Sequence, residues 1–286
     1  MISEIFMRFP GGRDRALTLS YDDGVEQDIK LIEILNKYGI KATFNINSGL
    51  YTPKETVFPE GRIHRRMTHE ASVELYKNSP HEVAVHSFSH PFLDKIPPAS
   101  VIDEIIKDRK NLEADYERPI RGMAYPIGAF NDAIVESLRQ CGIAYSRTVI
   151  STKSFDIPTD WLRLPATCHH NDPDLMKLAD NFVNYNVWGP PQMFYLWGHS
   201  YEFEEKNNWN VIEEFCEFMG GRDNVWYATN IEIYDYIQAY YRLEWSVDMD
   251  TVYNPTAYTI FIKYCTAQHP PKYISVKPGE NLRITE

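Results

Sequence analysis

Short apolar runs alternate along the chain with stretches in which apolar residues recur at spacings of three and four. Seven of the short runs predict strands, at residues 16–23, 42–47, 82–87, 121–125, 145–150, 193–199 and 225–229. The amphipathic stretches predict helices, at residues 26–38, 68–78, 100–116, 132–140, 174–185, 208–219 and 231–243. The pattern therefore predicts a chain built from repeated strand–helix units.

Repeated strand–helix units are typical of α/β folds in which the strands run parallel. The run at 193–199 is apolar on both faces, as a strand buried on both sides requires. The alternation fits either a barrel or an open doubly wound sheet, and periodicity does not separate the two. Both architectures place functional groups at the carboxyl ends of their strands, so the candidate chemistry is sought there.

The helical spacing stops after residue 245. Residues 246–286 contain two or three short apolar stretches separated by proline-containing pairs, which favour turns. We therefore expect a main domain of residues 1–245 and a small C-terminal β appendage of residues 246–286.

Composition and charge indicate which classes of partner the protein is expected to bind. The chain has 286 residues, of which 43% are hydrophobic, and its formal net charge is −11. Nucleic-acid binding needs a basic surface, so we expect no nucleic-acid partner. The chain has no long apolar run and no secretory signal pattern, and its four cysteines are scattered. We therefore expect a cytoplasmic protein with no membrane partner, whose oligomeric state the sequence leaves open.

Two adjacent carboxylates end the first predicted strand. Asp22 and Asp23 follow an apolar run, where a buried carboxylate is costly unless it is paired or binds a metal. Neighbouring strand residues point to opposite faces, so one carboxylate can face a ligand while the other lies beside it. The alternative is structural, because either aspartate could cap the helix that follows.

Two histidines end the third predicted strand. His86 and His90 are four residues apart, which places both imidazoles on one face of a helical turn. Imidazole nitrogens and carboxylate oxygens are ligands of zinc, and a catalytic zinc site keeps one position open. Parallel strands bring their carboxyl ends to one rim, so Asp23, His86 and His90 form a candidate metal-ligand set. Asp22 then remains free as a candidate base.

Other histidines and one tryptophan are weaker candidates. His199 ends the sixth predicted strand and is either a general acid or a structural residue. His169 and His170 follow each other in a polar loop, where a second metal site is less expected than a solvated loop or a substrate contact. Trp197 could wall a sugar cleft or belong to the core, and His64 is expected at the surface.

Four motifs carry a family resemblance. The segments LSYDDG, HSFSH, MAYPIGAFN and LWGHS, in this order, resemble the motifs of the polysaccharide deacetylase family (carbohydrate esterase family 4) over residues 16–229. Their occurrence together and in order is specific. The resemblance implies an incomplete (β/α) barrel of seven strands, which agrees with the strand count above.

The resemblance also implies roles for the residues at the strand ends. Asp23, His86 and His90 would hold a divalent metal, zinc in the first place and cobalt as the alternative. Asp22 would be the general base and His199 the general acid.

The third motif and a looser match imply further site residues. The backbone N–H of Ile127 would stabilise the oxyanion, and Tyr125 of the same motif is a further candidate for the oxyanion or substrate site. Asp160 and Trp161 resemble a family pair in which the aspartate orients the acid histidine and the tryptophan walls the pocket.

The third motif also departs from the family pattern. The family commonly has an arginine there that pairs with the base, and this chain has Ala124. Arg121 or Arg163 could supply the missing charge, and the sequence does not choose between them.

Together these features predict a metal-dependent hydrolase that removes acetyl groups from an N-acetylated carbohydrate by attack of a metal-activated water. The predicted partner is an N-acetylated sugar or oligosaccharide. One alternative is hydrolysis of another non-peptide C–N bond, in a cyclic amide or a ureide. A further alternative is a non-catalytic carbohydrate-binding protein on the same scaffold, which would have no need of Asp22 or His199.

Overall fold

A computed structural model of the chain describes residues 2–266 and 270–284. The helices are α1 Gln27–Lys37, α2 His69–Lys77, α3 Pro98–Tyr116, α4 Asp132–Gln140, α5 Leu175–Asn184, α6 Tyr201–Glu205, α7 Asn210–Met219 and α8 Asn230–Tyr241. The strands are β1 Ile2–Arg8, β2 Arg15–Asp22, β3 Ala42–Ile46, β4 Glu82–Val85, β5 Gly122–Ala124, β6 Tyr145–Ser151, β7 Leu164–Ala166, β8 Cys168–His169, β9 Gln192–Gly198, β10 Val225–Tyr227, β11 Glu244–Trp245, β12 Thr251–Tyr253, β13 Ile260–Thr266, β14 Lys272–Val276 and β15 Asn281–Arg283.

The main sheet is parallel and has the strand order β7-β6-β5-β4-β3-β2-β9-β8, with β10 paired to the start of β2. The end strands β7 and β8 follow each other in the chain with one residue between them. β7 pairs with β6, and β8 pairs with β9, so this stretch brings the two edges of the sheet together. The parallel sheet with its helices confirms the predicted α/β, barrel-like fold class.

Two core clusters occupy the two faces of the sheet. On β9, Phe194 and Leu196 belong to the cluster beneath the helices, whereas Met193, Tyr195 and Trp197 belong to the other cluster, with residues of α8. This alternation is the period of two expected of a strand, although every residue of β9 is buried. Such burial explains why the run is apolar on both faces.

Helix α8 packs against the amino-terminal ends of the strands. Thr229 caps this helix in a capping box with Glu232. The backbone N–H of Asn230 donates to Thr43 Oγ1 at 3.1 Å, and that of Ile231 donates to Glu82 Oε2 at 2.9 Å. Since Thr43 and Glu82 lie near the beginnings of β3 and β4, the start of α8 lies opposite the carboxyl rim where chemistry is expected.

The two ends of the chain meet in an antiparallel sheet. The sequence pattern missed β1, which pairs with β13, and β13 in turn pairs with β14. A second small sheet joins β11, β12 and β15. The predicted division of the chain at residue 245 stays a prediction, and residues 267–269 and 285–286 of the predicted appendage lie outside the described residues.

Within residues 2–266 and 270–284, no helix combines the length and the apolar character needed to cross a bilayer. The cytoplasmic location expected from the sequence stays a prediction.

Candidate active site

The end of β2 directs its two carboxylates to different partners. Asp22, the last residue of β2, is buried, and its Oδ1 accepts a hydrogen bond of 2.8 Å from Asn45 Nδ2. Asp23 follows the strand and has a φ of +84°, a left-handed conformation that a residue other than glycine adopts rarely. The backbone therefore turns at Asp23, which separates its carboxylate from that of Asp22.

The two histidines after β4 converge, but not on a helical turn as expected from their spacing. Ser87 and His90 have φ values of +61° and +56°, so the segment is an irregular turn. Its start is fixed because the backbone N–H of His86 donates to Ile46 O at 3.1 Å and to Asp108 Oδ2 at 3.0 Å. The ring centroids of His86 and His90 are 4.8 Å apart.

Asp23, His86 and His90 form a group that can hold a divalent cation. Their ligand atoms all lie within 4.8 Å of one another. His86 Nδ1 lies 2.9 Å from the carbonyl oxygen of Ala124, so this nitrogen donates its hydrogen and Nε2 is free to bind a metal. His90 Nε2 lies 3.8 Å from Asp23 Oδ1. Two imidazole nitrogens and one carboxylate are a donor set that suits zinc.

Arg147 on β6 is the charge partner of Asp22. Its guanidinium NH2 donates to Asp22 Oδ2, and both side chains are almost fully buried. Burial alone would raise the pKa of Asp22, but Arg147 and the nearby histidines outweigh it and keep the pKa below its usual value. The expectation that Arg121 or Arg163 pairs with the base is wrong, because those two arginines pair with Asp235 and with Asp132 and Asp160, respectively.

His199 follows β9 and faces Asp22. Its Nε2 lies 3.8 Å from Asp22 Oδ2, and its Nδ1 is 2.8 Å from Glu202 Oε1. Burial lowers the pKa of His199, but the hydrogen bond to Glu202 and the charge of Asp22 together raise it by more. The net pKa of His199 is therefore above its usual value. Glu202, on the short helix α6, therefore orients this histidine and favours its protonated form.

The predicted roles of Asp160 and Trp161 are corrected by their positions. Asp160 accepts hydrogen bonds from the backbone N–H of Leu162 and from Arg163, at 3.2 and 2.7 Å, so it caps a local turn rather than orienting His199. The Trp161 ring packs edge-on against Tyr234 of α8, at the end of the strands opposite the rim. The match of Asp160 and Trp161 to the family pair therefore falls on a turn with a structural role.

A second cluster lies behind His199. His169 Nε2 and His170 Nε2 are 3.5 and 3.3 Å from the two oxygens of Glu202, and the three residues could hold a metal by proximity. However, His169 Nδ1 accepts the backbone N–H of Asn171 at 3.1 Å, which leaves the hydrogen of a neutral ring on Nε2. The carboxylate of Glu202 therefore faces the N–H of His169 at this position.

Two further residues reach the rim from the loop between β3 and α2. His64 Nε2 is 3.2 Å from Asp23 Oδ2, so His64 belongs to the site and the expectation of a surface role is wrong. Arg66 NH2 donates to Asp23 Oδ1 at 2.8 Å. Nothing in the spacing of the sequence linked this loop to the end of β2, because the link depends on how a long loop folds back.

Comparison with known proteins relates about half of the chain to one family. Residues 10–146 match the family model for polysaccharide deacetylases. This segment belongs to the polysaccharide deacetylase family. A chitooligosaccharide deacetylase from Bradyrhizobium sp. (strain ANU 289) is 26% identical over 152 residues, which cover 52% of this chain. The alignment spans 60% of the length of that relative.

Solved structures of polysaccharide deacetylases share the fold. A structure from Mycobacterium smegmatis described as a polysaccharide deacetylase is 15% identical, with a TM-score of 0.58, and the match covers 84% of this chain and 96% of that one. A family 4 carbohydrate esterase from Streptomyces lividans, in complex with acetate, is 14% identical, with a TM-score of 0.50 and coverage of 74% and 91%. At these identities the likeness concerns the fold.

The remaining predicted site residues differ in how exposed their side chains are. Tyr125 is buried, and its hydroxyl donates to Leu162 O at 2.7 Å, so its side chain has a structural partner. Ile127 is 49% exposed at a φ of +59°, in the turn directly after β5. Trp197 packs its ring under the Arg147 guanidinium at 4.3 Å, which places it beside the charge pair of Asp22. An oxyanion role for Ile127 and a substrate role for Trp197 stay predictions.

Proposed function

We propose that this protein is a metal-dependent hydrolase that removes acetyl groups from an N-acetylated carbohydrate. Membership of the polysaccharide deacetylase family supports carbohydrate deacetylation. The observation that carries the finer proposal is the position of Asp22. It lies between an arginine and two histidines, one from the candidate metal-ligand set and one on the opposite side. A base, an acid and a cation site at one rim are the groups that metal-assisted hydrolysis of an amide uses.

The cation would be held by Asp23, His86 and His90. A divalent ion bound there, zinc in the first place and cobalt as the alternative, supplies a Lewis acid for the acetyl carbonyl and lowers the pKa of water toward about 7. The free Nε2 of His86 supports this role, because a ring fixed by its other nitrogen is the usual form of a metal-bound histidine.

Asp22 would act as the general base. Arg147 and Asn45 hold its carboxylate in one orientation and keep it ionised, so it can accept a proton from the attacking water. General base catalysis typically contributes about 10²–10⁴-fold in rate. Because the salt bridge to Arg147 lowers the pKa of Asp22, the base remains competent below neutral pH.

His199 would act as the general acid. Glu202 holds the Nδ1 hydrogen, so Nε2 is the nitrogen that faces Asp22 and the opening. A raised pKa keeps the imidazole protonated, and Nε2 can then donate a proton to the amine nitrogen as the C–N bond breaks. The backbone N–H of Ile127 would stabilise the oxyanion, an interaction whose loss typically costs about 10²–10³ in rate.

The direct test measures acetate release from N-acetylglucosamine and its short oligomers, chosen because the curated relative is a chitooligosaccharide deacetylase. We expect acetate and free amine in equal amounts, loss of activity with a chelator, and recovery with zinc. Asp22→Asn should retain metal but lose about 10²–10⁴ in kcat. Release of ammonia from ureides, or no product from any N-acetylated sugar, would contradict the proposal.

A further inference from the structure

Residues 62–67, here named the basic strap, cross the end of β2. The strap is anchored by backbone bonds, because the N–H of Glu26 donates to Arg65 O at 2.8 Å and that of Met67 donates to Gly24 O at 3.0 Å. The side chain of Arg65 adds ion pairs to Glu26 and to Glu204 of α6. The strap is therefore fixed to the rim by hydrogen bonds and ion pairs.

One arginine of the strap, Arg66, forms hydrogen bonds with both the backbone and the carboxylate of Asp23. Arg66 NH1 donates to the carbonyl oxygen of Asp23 at 2.6 Å and to Asn47 Oδ1 at 2.8 Å. Its NH2 donates to Asp23 Oδ1 at 2.8 Å. His64 Nε2 lies 3.2 Å from the other carboxylate oxygen. A single planar guanidinium thus fixes three acceptors, which a lysine ammonium cannot match in geometry.

Asp23 needs such a clamp more than an ordinary strand residue does. Its φ of +84° lies in a region that strains L residues, and such conformations persist where the surroundings determine them. Because Arg66 binds both the main chain and the side chain of Asp23, it holds the residue in this conformation. The same conformation brings the carboxylate to His86 and His90.

We propose that Arg66 is a positioning residue that holds Asp23 in the conformation required for binding the divalent cation. The inference rests on the proposed metal site and deepens it. Two effects of Arg66 oppose each other, because its positive charge repels a cation while its hydrogen bonds organise a ligand. Two hydrogen bonds to the strained residue Asp23, with a third to Asn47, make the organising effect the larger one, so loss of Arg66 weakens metal binding.

The test is zinc affinity, measured by competition with a chromophoric chelator on the full chain after metal removal. We expect Arg66→Gln to bind zinc about 10–100-fold more weakly than wild type, the usual effect of losing a partner of a metal ligand. Arg66→Lys keeps the charge but not the three-point geometry and should be weakened similarly. Arg139→Gln removes the charge of an exposed arginine that pairs with Glu136 on α4, outside the strap, and should bind zinc close to wild type.

The outcomes separate this inference from the proposed function. Equal or tighter zinc binding by Arg66→Gln, or full affinity in Arg66→Lys, would overturn the role of Arg66 and leave the metal site intact. Wild-type protein that binds no zinc would overturn the metal site itself. Circular dichroism and thermal unfolding in chelator identify a variant that has lost its fold, and Arg66→Lys then decides the question.

Discussion

At the residue scale, each aspartate at the end of β2 has its own arginine. Arg147 comes from β6 and holds Asp22 from inside the barrel, whereas Arg66 comes from the basic strap and holds Asp23 from the rim. Adjacent carboxylates would repel each other if they shared one environment. Separate partners allow both to stay ionised, one as a candidate base and the other as a candidate ligand.

Glu202 should set the pH range of catalysis through His199. In Glu202→Gln, the side chain can still accept from Nδ1, but its negative charge is lost, so the pKa of His199 falls. Because the acid must be protonated, the descending limb of the pH profile of kcat/KM should move to lower pH. Each unit of that shift lowers kcat/KM at pH 8 by about tenfold.

The matched control for that variant is Glu204→Gln, two residues further along α6. Glu204 pairs with Arg65 and Gln27 and has no contact with His199. Its variant should keep the descending limb of the wild-type profile. If both variants keep that limb, Glu202 does not tune His199.

The residues at strand ends could be predicted from sequence, and their partners could not. Asp22 and His199 stand out because a charged or titratable group follows an apolar run. Glu202 carries no such signal, since it lies on a helix of five residues, which is too short to show a periodic pattern. Arg147 did leave a signal, because a lone arginine inside the predicted strand 145–150 must find a buried partner.

At the element scale, the backbone of β9 at Gly198 lies in close contact with the side chain of His170. A Cβ on Gly198 would lie 2.1 Å from His170 Nδ1. His170 cannot move aside easily, because its ring stacks on Tyr21 and also packs against Phe203. The glycine is therefore needed for packing, at a position that immediately precedes His199.

Gly198→Ala should destabilise the protein by about 1–3 kcal/mol, the usual cost of overpacking a core. The measurement is the free energy of unfolding in urea. Gly189→Ala is the matched control, because the nearest atom to a Cβ there, among the residues that the structure describes, belongs to Phe6 at 3.8 Å, an ordinary contact. Equal stability of both variants would show that His170 is free to shift.

The sequence pattern missed the very short strands β7 and β8 and the seven-residue strand β1. The stretch containing β7 and β8 has strands of three and two residues and contains Pro165, so no periodicity is visible. Its role in joining the sheet edges depends on pairing with β6 and β9, which are distant in the chain. β1 was missed because its partner β13 lies at the other end of the chain.

At the scale of the whole molecule, the strand–helix alternation was enough to predict an α/β fold, whereas the burial of three further carboxyl groups was not predicted. Burial raises the pKa of Asp28, Glu82 and Asp108 to about 7. All three accept hydrogen bonds that join separate elements. In the folded protein these three carboxyl groups therefore keep their protons up to nearly neutral pH, whereas in the unfolded chain they lose them at lower pH.

Glu82 gives the clearest consequence for stability. Its folded pKa of about 7 exceeds the usual value of about 4.3, so its contribution is fully present below about pH 4 and is lost as pH rises to about 7. Glu82→Gln can satisfy Tyr145, Thr43 and the N–H of Ile231 without a proton.

Urea unfolding between pH 4 and pH 8 tests whether the stabilising contribution of Glu82 is lost as pH rises. The stability of the Glu82→Gln variant relative to wild type should rise by about 3 kcal/mol across that range. A constant difference between the two proteins would mean that folding does not raise the pKa of Glu82.

The metal centre is tested most directly by anomalous scattering from a crystal of the protein grown with zinc. We predict one peak at the zinc edge within bonding distance of Asp23, His86 Nε2 and His90 Nε2, with Asp22 outside the coordination sphere. A peak at His169, His170 and Glu202 instead, or no peak at the rim, would contradict the account.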